Sequence, residues 1–445
     1  MINICKKLKI VVFAAVLAVM LSNLCAGQKI ALYTGRGIST IFLKDNELRT
    51  KDGRTVSIDT AKKNLGKYDA IWCAQLVAEY NRPAWRFLRE NNREQVMLHY
   101  VGGNSSRASK ETAYLNYNYI NTYHPEWFLL KDAGNTQPED YRDENKRIRW
   151  APSNPEHRYY NRFYLDIGNE HFQKWAASQF VELVSGRKQN LTYAYDGLAM
   201  DNVNIGLERW SGLNARCPNW KYGGNPQAWH DAFFAYLKVI KKELNKNGFT
   251  LMVNHNLDYG SDVDDRYWDI LLEGADGIMT ERTIKRTGPY YTDDKWLLSI
   301  KRHEEILNKG LINWWVCYPS KSSPSAHDEF LYYYCSWLLI KKQGLSFFYS
   351  TRGKYAHIHP EVPWYEEYDL ALGEAISSRY SKGACWLRDY KNGKIVVNPT
   401  DKLQRIVIDK NKQWLDWENK KAVTELEIPP ITGRILLPTP YTEGN

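Results

Sequence analysis

Along most of the chain, short apolar runs alternate with longer stretches whose apolar residues recur every three or four positions. Residues 29–34 (KIALYT), 69–74 (DAIWCA) and 95–100 (QVMLHY) have the length and residue types of buried strands, and the third leads into Gly102-Gly103. Helical spacing first shows over 169–185. There Phe172, Trp175, Ala176, Phe180 and Leu183 share a face behind a candidate N-cap, Asn169. A strand at 197–200 precedes an amphipathic helix over 227–247, with Trp229, Phe233, Leu237, Ile240 and Leu244 on one face and Gly248 at its end. The alternation continues with a strand at 250–254, a short helix at 266–272, a strand at 277–280 and a helix at 294–308 closed by Gly310. A strand at 311–316, a helix at 328–343, a strand at 345–349 and a last helix at 364–378 complete it.

Eight strands alternating with helices predict an α/β fold, a (β/α)8 TIM barrel. The alternative is an open doubly wound sheet, because Gly35-Arg36-Gly37 follows the first strand like a dinucleotide-binding turn. Thr40 in the third glycine position, with no strong helix next, argues against it. Residues 104–161 are aromatic and rich in Asn and Pro. They are too long for an ordinary connection and predict a functional loop or subdomain. Beyond residue 380 the helical spacing stops. Runs such as ACWLRDY, GKIVVNP, QRIVID and RILLP, separated by Gly, Asn, Asp and Pro, predict a small all-β sandwich domain. The expected organisation is a leader over 1–26, a barrel over 27–380 and a β domain over 381–445.

The leader follows from Lys6, Lys7 and Lys9 ahead of an apolar run at 10–21, with small residues at Cys25-Ala26-Gly27, the layout of a secretory signal peptide. That run is short for a membrane span and no later segment is long and apolar enough, so a secreted or periplasmic protein without a membrane span is expected. Lipid anchoring at Cys25 is disfavoured by bulky Leu24 before it. Loss of the three leader lysines takes the formal charge from +9 to +6. Basic residues are spread along the chain rather than clustered, which argues against a nucleic-acid partner. Cys73, Cys217, Cys317, Cys335 and Cys385 remain, without CxxC spacing, so neither a disulfide framework nor a zinc site is expected beyond one or two bridges. Aromatic residues make up 14% of the chain, with 17 Trp and 31 Tyr. That supply suits both a core and a surface that stacks on a flat, partly apolar ligand.

A repeated hexapeptide carries the chemistry. Asp196-Gly197-Leu198-Ala199-Met200-Asp201 recurs in form as Asp276-Gly277-Ile278-Met279-Thr280-Glu281, and both copies fall on predicted strands. Side chains alternate along a strand, so Leu198 and Met200 face the outer helices while Gly197, Ala199 and Asp201 face the barrel interior. Asp201 and, by the same parity, Glu281 then stand at the C-terminal mouth, where barrel enzymes place their active sites. Cleavage of a glycosidic bond uses such a pair, one carboxyl donating a proton and the other ionised. Asp196 and Asp276 at the strand starts read as structural. Asp166 reads as ordering the helix that begins at Asn169.

Other strand ends offer sugar-binding groups: His99 and Tyr100 on the third, Asn254 and His255 on the fifth, Trp314 with Trp315 on the seventh, Tyr349 on the eighth, and Asn202 and Arg282 just after the two acids. Trp314 and Trp315 face opposite ways, so at most one can line the mouth. The chain has no HExxH, no GxSxG and no phosphate-binding GxxxxGK, and His357 and His359 lack further metal ligands in reach of argument. No Lys falls at an inward strand end, which disfavours a Schiff base. No metal or cofactor is expected.

The run at 195–202 (YDGLAMDN) resembles the fourth-strand motif of bacterial glycoside hydrolases of barrel fold, among them those similar to polygalactosaminidases and α-galactosidase-type enzymes. HPEWFLLKDAGN, YLDIGN and the late NGKIVVNPT and ITGRILLP stretches are similar to a group of hypothetical glycosyl hydrolases with a barrel followed by a small β domain, a likeness covering roughly 29–438. The resemblance implies that Asp201 is a catalytic carboxylate. Glu281 departs from it, because α-galactosidase-type barrels carry Asp on the sixth strand. The expected activity is an exported glycoside hydrolase acting on a poly- or oligosaccharide, with Asp201 as nucleophile or base and Glu281 as proton donor. Two alternatives stand beside it: a non-catalytic glycan-binding protein on a degenerate barrel, and a lyase or isomerase using His255 as base.

Overall fold

Eight short strands pair in parallel into one sheet that wraps around an apolar interior. They are β1 (Gly37–Ile41), β4 (Ala70–Cys73), β5 (Val96–Gly102), β8 (Gly197–Asp201), β9 (Thr250–His255), β10 (Gly277–Glu281), β11 (Ile312–Cys317) and β12 (Ser346–Ser350), and they neighbour one another in that order. β1 lies beside β12, so the sheet curls into a barrel. The computed structural model describes residues 37–41, 47–49, 55–57, 68–73, 90, 95–108, 115–134, 136–149, 161–187, 194–201, 203, 219–223, 225–255, 265–281, 283–285, 289–317, 326–350 and 365–439. A two-stranded hairpin of β2 (Glu47–Arg49) and β3 (Thr55–Ser57) lies between the first two barrel strands in sequence.

Two of the described helices that alternate with the later strands start at asparagine caps. In α2 (Glu170–Val184) the Asn169 side chain accepts from the backbone N–H groups of His171 and Phe172. In α3 (Pro226–Lys246) Asn225 does the same for Ala228, with Pro226 in the first turn, where its missing N–H costs nothing. α4 (Asp265–Gly274), α5 (Asp293–Asn308) and α6 (Ala326–Leu338) complete the layer. The 104–161 segment is a small subdomain in its described parts. β6 (Ser105–Arg107) pairs antiparallel with β7 (Arg162–Tyr164), and α1 (Tyr117–Tyr123) leads into short 3-10 turns. Buried Arg147 anchors it. Its guanidinium lies 3.9 Å from the Phe128 ring centroid and donates to Tyr117 Oη, Asn121 Oδ1 and Tyr141 O.

The twin hexapeptides are built alike. Asp196 Oδ2 accepts from Met97 N and Asp276 Oδ2 from Leu251 N, each at 2.8 Å, so each Asp locks its strand to the preceding one. The carbonyls of the same two residues accept from Thr250 N and Ile312 N on the following strands, each at 3.1 Å. Their structural reading holds. The glycine after each Asp lets the neighbours close in: a Cβ on Gly197 would meet Thr250 O at 2.2 Å, and one on Gly277 would meet Met252 Sδ at 2.3 Å.

β13 (Tyr380–Lys382), β14 (Cys385–Tyr390), β15 (Gly393–Asn398), β16 (Gln404–Val407), β17 (Trp414–Asp416), β18 (Lys421–Val423), β19 (Glu425–Ile428) and β20 (Thr432–Pro438) form antiparallel sheets. A six-stranded sheet, in the order β13-β14-β15-β20-β17-β18, faces the β16-β19 pair. Leu387, Val396, Ile406, Leu426, Ile428 and Leu436 fill the space between them. Alternation sends Ile395, Val397, Ile435 and Leu437 the other way, into a core shared with Leu331, Cys335 and Leu338 of α6.

Three expected elements differ. The strand beside β4 is Gly37–Ile41, and the expected strand at 29–34 lies outside the described residues. α6 ends at Leu338, short of residue 343, and the chain turns through Gly344, at φ +76°, into β12. The helix expected at 364–378 is a 3-10 turn, Glu366–Asp369, followed by irregular chain. Gly373, at φ +74°, sits in the left-handed region that no helix interior accepts. Cys317, Cys335 and Cys385 are buried free thiols, and no described helix is long and apolar enough to cross a membrane.

Candidate active site

Four adjacent strands carry one hydrogen-bonded chain across the barrel mouth. From β5, the Tyr100 hydroxyl donates to Asp201 Oδ2 on β8 at 2.5 Å. From β9, Asn254 Nδ2 donates to Asp201 Oδ1 at 2.8 Å and to Glu281 Oε1 on β10 at 3.3 Å. The sheet register explains the convergence. Gly102 pairs with Asp201, Tyr100 with Ala199, Ala199 with Met252 and Asn254 with Met279. All four site residues therefore share the inward parity that the hexapeptides predict. Asn254 is the bridge. Two oxygens bound to one nitrogen at these lengths lie within about 6 Å of each other, the two lengths combined. Asp201 is half-buried and Glu281 is exposed at the rim, so the pair opens to solvent at one end.

A family model described as "Hypothetical glycosyl hydrolase family 15" matches residues 95–394, about two thirds of the chain. The chain belongs to this family. No curated protein matches it. Among solved structures, it is similar to a variant of trehalulose synthase MutB from crystals soaked with trehalulose, at TM-score 0.50 and 10% identity over 91% of this chain and 99% of that one. MutB from Pseudomonas mesoacidophila gives 0.49 and 10% over 92% and 99%. A debranching enzyme from Nostoc punctiforme gives 0.44 and 11% over 90% and 97%. At such identities the likeness shows the barrel fold alone. The matched segment of this hydrolase family begins at Gln95 and includes Tyr100, Asp201, Asn254 and Glu281.

The other residues expected at this hydrolase's mouth divide by strand parity. His99 faces outward, buried, with its ring edge-on to Tyr195 at 4.7 Å between centroids, and burial lowers its pKa to about 4. His255 also faces outward, close enough to act electrostatically on buried His303 of α5. Each sits one position from an inward residue, Tyr100 or Asn254, and so has the opposite parity to the carboxylates. Trp314 points inward and Trp315 outward, but Trp314 lies below the mouth. It is 1% exposed, packed against Trp72 at 6.0 Å and Phe347 at 5.4 Å, one layer beneath the Glu281–Val316 level. Tyr349 points inward in register with Val316 and Glu281, and its ring is buried edge-on to Tyr68 at 6.1 Å. Asn202, Arg282, His357 and His359 lie outside the described residues.

Asp166 is not placed with the pair. Its carboxylate accepts from Lys221 Nζ and Tyr222 Oη, each at 2.6 Å, and from Gly168 N, and its carbonyl accepts from the Asn169 amide. It orders the entry to α2, beside an outer cleft of about 480 Å³ between α2 and α3. Sequence reading missed the bridging role of Asn254. The signal was present: an amide on the strand between two acid-bearing strands, in phase with both.

Proposed function

We propose that the chain is an exported glycoside hydrolase that cleaves a poly- or oligosaccharide with Asp201 as nucleophile and Glu281 as proton donor, with retention of anomeric configuration. The single observation behind the reading is the Asn254 amide shared by the two carboxylates. It keeps their nearest oxygens within about 6 Å, which is compatible with the roughly 5–5.5 Å between the carboxyl groups of retaining pairs. The roles follow from the donors. Asp201 accepts from Asn254 on Oδ1 and from Tyr100 on Oδ2, and donors to a carboxylate favour its ionised form. Glu281 stands at the solvent-exposed rim, where a leaving group departs, and is assigned the proton donor. In the first step Asp201 attacks the anomeric carbon while Glu281 protonates the leaving oxygen. In the second, Glu281 takes a proton from water as that water displaces Asp201. The lysine-led apolar run at 6–21 supports export.

Purified protein is first screened on a polysaccharide panel, and the product anomer is followed by proton NMR. Asp201→Asn is expected to lower turnover by at least about 10²–10⁴-fold while glycan binding is retained. Glu281→Gln is expected to be rescued in part by substrates with good leaving groups. A product of inverted configuration would overturn the retaining assignment. Absence of turnover in wild type and variant alike, with glycan still bound, would leave a glycan-binding barrel instead.

A further inference from the structure

We propose a divalent-metal site, of the kind Zn²⁺ occupies, at the junction of the barrel and the β domain, built from His327, Glu367 and Glu418. The inference is independent of the glycosidase reading. The three residues come from three separate segments: the first turn of α6, the 3-10 turn at Glu366–Asp369, and the turn between β17 and β18. His327 Nε2 lies 3.2 Å from Glu367 Oε1 and 3.0 Å from Glu418 Oε2, and the three ligand atoms all lie within 4.8 Å of one another. Tetrahedral Zn²⁺ with N and O ligands at about 2.0–2.2 Å spaces those atoms about 3.3–3.6 Å apart; the two His–Glu distances are within a few tenths of an ångström of that spacing, and the two glutamate oxygens, within 4.8 Å of each other, have at most about 1.5 Å to close.

Hydrogen bonding alone satisfies this arrangement poorly. The single imidazole Nε2–H reaches both carboxylates, at 3.2 and 3.0 Å, only by sharing its one proton between them, which weakens each bond. Glu367 is nearly fully buried, and a buried carboxylate needs a compensating cation. The surroundings are rich in negative charge. Asp328 lies 3.8 Å from Arg434 Nη1, and buried Asp416 lies 4.0 Å from Arg434 Nε and accepts from Glu418 N. Four carboxylates thus face Arg434 and His327, with Lys420 acting on Glu418 from outside. A metal ion replaces the single imidazole proton with two charges and lets both glutamates bind the same centre. His327 and Glu418 are partly open to solvent, which leaves a path in and a fourth position for water.

The test is Zn²⁺ titration of the chelator-treated full chain by calorimetry, with Ca²⁺ in parallel. One Zn²⁺ per chain is expected, with Kd at least tenfold weaker in both His327→Gln and Glu418→Gln. No saturable Zn²⁺ binding, binding unchanged in the two variants, or binding of Ca²⁺ in preference to Zn²⁺ overturns the site and leaves His327 as a protonated bridge. Since a variant can fail to fold, Co²⁺ titration of the unmodified chain gives a second reading. An intense visible band from four- or five-coordinate Co²⁺ supports the site, and a spectrum of hydrated Co²⁺ alone overturns it.

Discussion

Asn254 shows how much one strand position decides. Its amide reaches both carboxylates because it points inward from the strand between theirs, and His255 beside it points into the helix layer. The same alternation sends Tyr100 to Asp201 and His99 to Tyr195. Two buried histidines, His99 on β5 and His303 on α5, have a consequence for acid stability. Burial lowers the pKa of His99 to about 4 and that of His303 to about 3. Both are therefore neutral in the folded chain through mild acid, while the unfolded chain takes up protons below about pH 6.5. The stability they contribute is present above that value and is lost as pH falls toward the folded pKa values. Between pH 6.5 and 5 each costs about 1.6 kcal/mol. Urea midpoints should drop over that range, and His99→Phe, which keeps a ring against Tyr195, should remove about half of the drop. An unchanged pH dependence in the variant would contradict the assignment.

At the scale of the element, the D-G start of a strand is a fastening device. Asp196 and Asp276 tie their strands back to Met97 and Leu251, and the glycines admit the next strand. The two glycines are not equivalent. At Gly197 a Cβ would meet three backbone atoms of Thr250, from 2.2 Å, whereas at Gly277 the shortest contact is the movable Met252 Sδ at 2.3 Å, with the fixed Ile312 Cβ and O at 2.6 and 2.9 Å. Gly197→Ala is expected to destabilise by about 1–3 kcal/mol, the range of overpacking, and Gly277→Ala by less. Chemical unfolding of the two variants side by side reads the difference. The order of strands and helices was legible from the spacing of apolar residues because each element buries one face. The expected helix at 364–378 failed because its apolar spacing carried no information about Gly373, whose left-handed backbone is set by the packing around it.

For the whole molecule, the β domain and the barrel share a core. Leu331, Cys335 and Leu338 of α6 pack with Ile395, Val397, Ile435 and Leu437. Tyr390 Oη donates to Leu338 O at 2.6 Å, and Gly433 lies so close that a Cβ would meet Cys335 Cβ at 2.4 Å. A chain ending at residue 378 would expose this face of α6, and it is expected to aggregate or to unfold at a lower denaturant midpoint than the full chain. Retention of the full midpoint would show the two parts to be independent. The sequence by itself determined the barrel, the β domain and the inward parity of Asp201 and Glu281, since all three follow from local periodicity. Tertiary structure alone decided that Asn254 joins the two acids, that Trp314 lies beneath them, and that His327, Glu367 and Glu418 meet. Those outcomes depend on strand stagger and on contacts between distant segments, and apolar spacing within one segment records neither.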